Sequence, residues 1–106
     1  MDRKVFYRGG PILEPSSEEV KFNPLTGLLR TTHGVSVFDS PEQVERFGGA
    51  YRLESIPATL AVIQRGRDLR HHEIVPAHPM SWDEYREALL EVKLVRTARK
   101  QAREQT

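Results

Sequence analysis

The chain contains no cysteine, which excludes disulfide staples and thiolate-ligated zinc and suits a reducing compartment. It also lacks a long hydrophobic run. Nothing approaches the roughly 18 consecutive apolar residues of a membrane span, and the opening "MDRKVFYRGG" has no apolar core of the kind a secretory signal peptide carries. The expectation is a cytoplasmic protein with no membrane partner. An excess of one charge is missing as well: 16 Lys and Arg stand against 15 Asp and Glu, for a net charge of +1. A whole-molecule field therefore favours neither nucleic acid nor an anionic membrane. There are no internal repeats, and at 106 residues the chain is long enough for one core and one site.

What is present reads as α+β. "KVFYRG" is a short β-rich run closed by Gly9, Gly10 and Pro11. Residues 11 to 32, with Pro11, Pro15, Pro24 and Gly27 among them, show neither strand nor helix periodicity, so they are expected to form a long loop with a helical turn at "PSSEEV". "VSVF" is the second strand. It runs into "DSPEQVERFGG", where Ser40, Pro41 and Gln43 predict the start of a short middle helix and Gly48 and Gly49 its stop. "AYRLESIPATLAVIQ" predicts one or two strands broken at Pro57, and "RGRD" is the turn of a hairpin between "TLAVIQ" and "LRHHEIV".

Ser81 and Glu84 form a capping box. They predict a long C-terminal helix whose apolar face is Trp82, Tyr85, Leu89, Val92 and Val95. Residues 1 to 95 then make one domain, and 96 to 106, with Arg96, Arg99, Lys100 and Arg103, read as a basic helix end or frayed tail.

Three features carry chemistry. Strand alternation puts Leu69, His71, Glu73 and Val75 on one face and Arg70, His72 and Ile74 on the other, so an imidazole and a carboxylate lie side by side. On its own that pair reads first as a cross-strand ion pair on a solvated surface. The four histidines, His33, His71, His72 and His78, show no ligand spacing of a familiar zinc site, so no metal is expected. Arg8, at a strand end beside two glycines, suits a bidentate phosphate clamp or a plain surface position. Ser36, a hydroxyl between valines, is either a core serine bonded to a carbonyl or a group aimed into a cleft.

Taken together, "VFYRGG", "GVSVFDSPEQV" and "HHEIVPAHPM" ahead of a final helix resemble a small toxin family of type VI secretion effectors built on a reduced mono-ADP-ribosyltransferase fold. The likeness spans roughly residues 5 to 95. It lies in Tyr7-Arg8, in Gly34 with Ser36-Val37-Phe38-Asp39, in His71, and in Pro76-Ala77-His78-Pro79-Met80; Val35 departs from the threonine the family often has before its serine.

The resemblance implies mixed, mainly antiparallel strands forming a cleft, with NAD as co-substrate. It implies an activity of ADP-ribose transfer or NAD hydrolysis that arrests cell growth, and a cognate immunity or antitoxin protein as restraint. On it, Glu73 holds the ribose 2′-hydroxyl and stabilises developing positive charge, Ser36 positions Glu73 or the ribose, Arg8 holds ribose or diphosphate, and His71 orients the ribose or the acceptor. Tyr7 stands beside Arg8 at the cofactor. Two other readings belong to different classes: an NAD-using RNA 2′-phosphotransferase-like enzyme, and a non-catalytic binding module whose basic tail contacts nucleic acid.

Overall fold

The structure is a computed structural model that describes residues 4 to 97. Six strands follow in chain order: β1 (Tyr7–Gly9), β2 (Val35–Phe38), β3 (Ala50–Ser55), β4 (Leu60–Gln64), β5 (His71–Pro76) and β6 (Lys93–Arg96), with one α-helix, α1 (Trp82–Leu90), between the last two. They form a single antiparallel sheet in the order β4-β5-β2-β1-β3-β6. The chain is thus a compact α+β domain. No helix among the described residues is long and apolar enough to cross a membrane.

Alternation along the central strands separates two environments. Val35 and Val37 of β2 and Ile74 of β5 are fully buried and cluster with Tyr85, Ala88 and Leu89 of α1 and with Val20, Leu29, Leu60, Met80 and Val92. This is the core, and it fills the space between the sheet and α1. Part of its cover is the long segment from 11 to 32, which carries a 3-10 turn at Ser17–Glu19 and is fastened by Leu29, whose backbone bridges both Phe22 and Met80. The other side chains of β2 and β5, Ser36 and Phe38 opposite Glu73 and His71, share the opposite face.

Two expected elements differ. The long C-terminal helix stops at Leu90: Ser81 and Glu84 cap its start as foreseen, but after the cap residue Glu91 the chain turns and Lys93–Arg96 pairs antiparallel with β3. Without β6, the backbone groups of β3 on that side would lack partners. Val92 and Val95, β-branched, accept the extended conformation readily. Val92 still reaches the core, which is why helical spacing described it well. The tail therefore begins in a strand. Arg96 donates to the Gly48 carbonyl at 3.3 Å and lies 5.6 Å from the Tyr51 ring centre, while Arg99, Lys100 and Arg103 lie outside the described residues.

The short middle helix is instead two 3-10 turns, Pro41–Gln43 and Glu45–Phe47. Ser40 spends its hydroxyl on the Glu42 carboxylate at 2.6 Å rather than on a backbone N–H, so the expected cap is not made. Gly48 and Gly49, both at positive φ, then end the run before an α-helix can form.

Tyr85 ties helix to sheet. Its hydroxyl accepts from the Val35 N–H at 3.0 Å and donates to the Ile74 carbonyl, joining two strands at fully buried positions. Burial pushes its phenol well above the usual range against the partial opposition of the Val35 hydrogen bond, so it stays a neutral donor. Tyr85→Phe leaves two buried backbone groups short of a partner and is expected to cost about 2 kcal/mol, read as a lower urea midpoint at unchanged slope.

Candidate functional site

Strand register builds the site. Ser36 lies opposite Glu73 and Phe38 opposite His71 across β2 and β5, so all four side chains project from one face. Pairing of Tyr7 with Phe38 places Tyr7 on that face too. Over it folds the turn at Val44 to Phe47, and between turn and sheet lies a cleft of about 270 Å³ lined by Arg8, Gly9, Ser36, Phe38, Val44 and Phe47. Gly9 permits this approach: a Cβ there would meet the Phe47 Cβ at 2.6 Å.

Glu73 is the centre of the polar network. Only 2 % of it is exposed, and a carboxylate so buried needs strong partners to remain charged. One oxygen accepts the Gly34 N–H at 2.9 Å, and the other accepts from Arg65 Nη2 at 2.7 Å. His71 Nε2 stands 3.6 Å from that second oxygen. The imidazole–carboxylate pair is therefore buried at the Glu73 end, in contrast to a pair on a solvated surface.

His71 is held from both sides. Its Nδ1 is 2.8 Å from the Arg65 carbonyl oxygen, and its Nε2 is 3.0 Å from Ser36 Oγ. A carbonyl can only accept, so Nδ1 carries the proton; in the neutral ring Nε2 is then an acceptor, and the Ser36 hydroxyl donates to it. Ser36 is thus neither buried in the core nor bonded to a carbonyl by its hydroxyl. Its neighbour across the cleft, Arg8, donates to the backbone carbonyls of Ser36 at 2.9 Å and Ile12 at 3.3 Å. Those bonds fix the guanidinium against β2 and leave further N–H donors for a ligand.

The structure brings Ser36, His71 and Glu73 together and sets Arg8 against the Ser36 carbonyl; His71 and Glu73 are not among the residues lining the cleft. Tyr7 shares the face but is not among the residues lining the cleft. Sequence reasoning missed Arg65, whose side chain is 44 % exposed while its tip reaches the buried carboxylate. It was read as part of a turn, although the hairpin register that sets Ile63 opposite Glu73 also carries Arg65 to the His71 end of that face.

His33 is a second addition. Burial pushes its imidazole down, and Arg65 and Lys21 push it further against the opposing pull of Glu73, so its ring is biased toward the neutral form. Its Nδ1 lies 2.8 Å from the Thr32 hydroxyl. Among the described residues no group of three metal-ligating side chains converges.

A buried carboxylate, an oriented imidazole and a hydroxyl on one sheet face, beside a cleft that Ser36 and Arg8 line, can stabilise positive charge, move a proton and hold an anionic or polyhydroxyl ligand. Comparison with family models, curated proteins and solved structures finds no match to the chain.

Proposed function

We propose that the protein is an NAD-dependent ADP-ribosyltransferase-like toxin. It breaks the bond between nicotinamide and ribose and passes ADP-ribose to an acceptor or to water. The observation that carries this reading is Glu73: a buried carboxylate anchored by the Gly34 N–H, with Ser36 and His71 beside it on one face and Ser36 lining the Arg8 cleft. Cleavage passes through an oxocarbenium-like state, which an oriented anion at the developing charge stabilises.

In this reading the ribose 2′-hydroxyl reaches the Glu73 oxygen when Arg65, half-exposed on its turn, yields that place. Ser36 and His71 orient the ribose, and Arg8 holds the ribose or diphosphate. The cleft takes one end of NAD, with the remainder lying over the open face. The catalytic fold would be a reduced ADP-ribosyltransferase fold, its place of action the cytoplasm of the producer or of a target cell, and its restraint a cognate immunity or antitoxin protein covering the cleft beside residues 11 to 32.

Growth on induced expression tests the reading. Wild type should arrest cells with a fall in cellular NAD or a new ADP-ribose adduct. Arg8→Ala and Ser36→Ala, each removing one polar contact at the reacting end, should lower NAD turnover by about 10²-fold and relieve the arrest. Normal growth and unchanged NAD with folded, soluble wild type would remove the reading.

A further inference from the structure

The geometry points to a second chemistry: Ser36 is a nucleophile, His71 its general base, and the cleft beside them accepts small carboxylic esters. The inference does not depend on NAD cleavage. Three relations that such chemistry requires are present at once. Nucleophile and base are in hydrogen-bond contact, Ser36 Oγ to His71 Nε2 at 3.0 Å. The base is oriented by a third group, Nδ1 to the Arg65 carbonyl at 2.8 Å, which fixes the tautomer that leaves Nε2 free to take the serine proton. Once Nε2 takes that proton, the Glu73 oxygen 3.6 Å away stabilises the imidazolium charge, from the Nε2 side and not from Nδ1 as in the serine-hydrolase triad.

The cleft fits the rest of the reaction. Phe38, Val44 and Phe47 supply apolar walls for a short acyl group, and Arg8, the one cation among the lining residues and bonded to the Ser36 carbonyl, supplies positive charge beside the nucleophile. Ser36 Oγ bonds to the ester carbon as its proton passes to His71 Nε2. The carbon–alkoxy bond breaks, and the alkoxide leaves with the proton from Nε2. Water then attacks the acyl carbon, giving one proton to His71, which returns it to Ser36 Oγ as the acid departs. A volume of about 270 Å³ lies below the roughly 300 Å³ at which sites for drug-sized ligands begin, which limits the acyl group to a short one.

The test uses the full chain with an alkyl fluorophosphonate, followed by intact mass and peptide mapping, beside the p-nitrophenol burst from p-nitrophenyl butyrate. Wild type should gain one phosphonyl group, on Ser36, as the phosphorus–fluorine bond breaks, and should show a burst. Labelling should rise with pH in wild type, and His71→Gln should slow it about 10²- to 10⁴-fold and flatten that rise. A merely structural histidine would leave the pH profile unchanged. The proposal is overturned by a folded wild type that takes no label or shows no burst, by a label on another residue, or by His71→Gln labelling at the wild-type rate. A protein that releases nicotinamide from NAD yet resists the probe loses this proposal alone.

Discussion

Glu73→Gln is expected to lower nicotinamide release from NAD by about 10²- to 10³-fold, the scale on which one preorganised electrostatic partner of a transition state acts. The amide matches the carboxylate in size, and its carbonyl oxygen can still accept the Gly34 N–H that now lies 2.9 Å from Glu73 Oε1. What it removes is the negative charge. Arg65, the partner that loses its ion pair, is half-exposed and regains water, so the variant should keep its fold. Binding of NAD should weaken far less than turnover, because the anion acts chiefly on the charge that develops as the bond breaks. Equal losses in binding and turnover would assign Glu73 to the ground state, and an unchanged rate would remove it from the chemistry.

The largest effect on stability is expected at Gly34. A Cβ there would lie 1.8 Å from the Ile74 carbonyl oxygen and 2.6 Å from the Tyr85 hydroxyl. Neither neighbour can withdraw: one is backbone of a central strand, and the other is a fully buried side chain bonded to both strands. Gly34→Ala must therefore push β2 away from β5, which also breaks the Gly34 N–H bond to Glu73. A cost above about 4 kcal/mol is expected, in the range that marks a core steric conflict. Chemical denaturation of the variant, or its failure to accumulate as soluble protein, checks this. A loss under about 1 kcal/mol would mean that the two strands separate easily and that Glu73 is held less firmly than its contacts imply.

Much of the site face was legible because strand alternation is a strict geometric rule. Once "VSVF" and "LRHHEIV" are strands, Ser36 takes one face of its strand, and His71 and Glu73 share one face of theirs, whatever the remainder of the chain does. What alternation cannot give is register between strands, and register is what places Ser36 opposite Glu73 rather than opposite His71. Arg65 escaped for a related reason: its composition says turn, and only the paired hairpin carries its side chain back to Glu73.

Helical spacing failed at Val92 and Val95 because the two signals coincide there. Val92 faces the core from the end of α1, and Val95 belongs to a strand that completes the sheet beside β3. That competition is tertiary, since unpaired backbone on β3 draws in a segment whose local pattern suits either state. The polar role of Tyr85 was hidden in the same way, because a tyrosine in an apolar stripe does not announce that its hydroxyl closes a gap between strands.

The central claim is that the site around Glu73 and Ser36 consumes NAD, and release of nicotinamide by the purified chain tests it most directly. Wild type incubated with NAD should liberate nicotinamide with turnover, and Glu73→Gln, matched for folded protein, should be slower by two orders of magnitude or more, about the effect of one lost transition-state partner. No nicotinamide from folded wild type, or equal release from both proteins, would contradict the account.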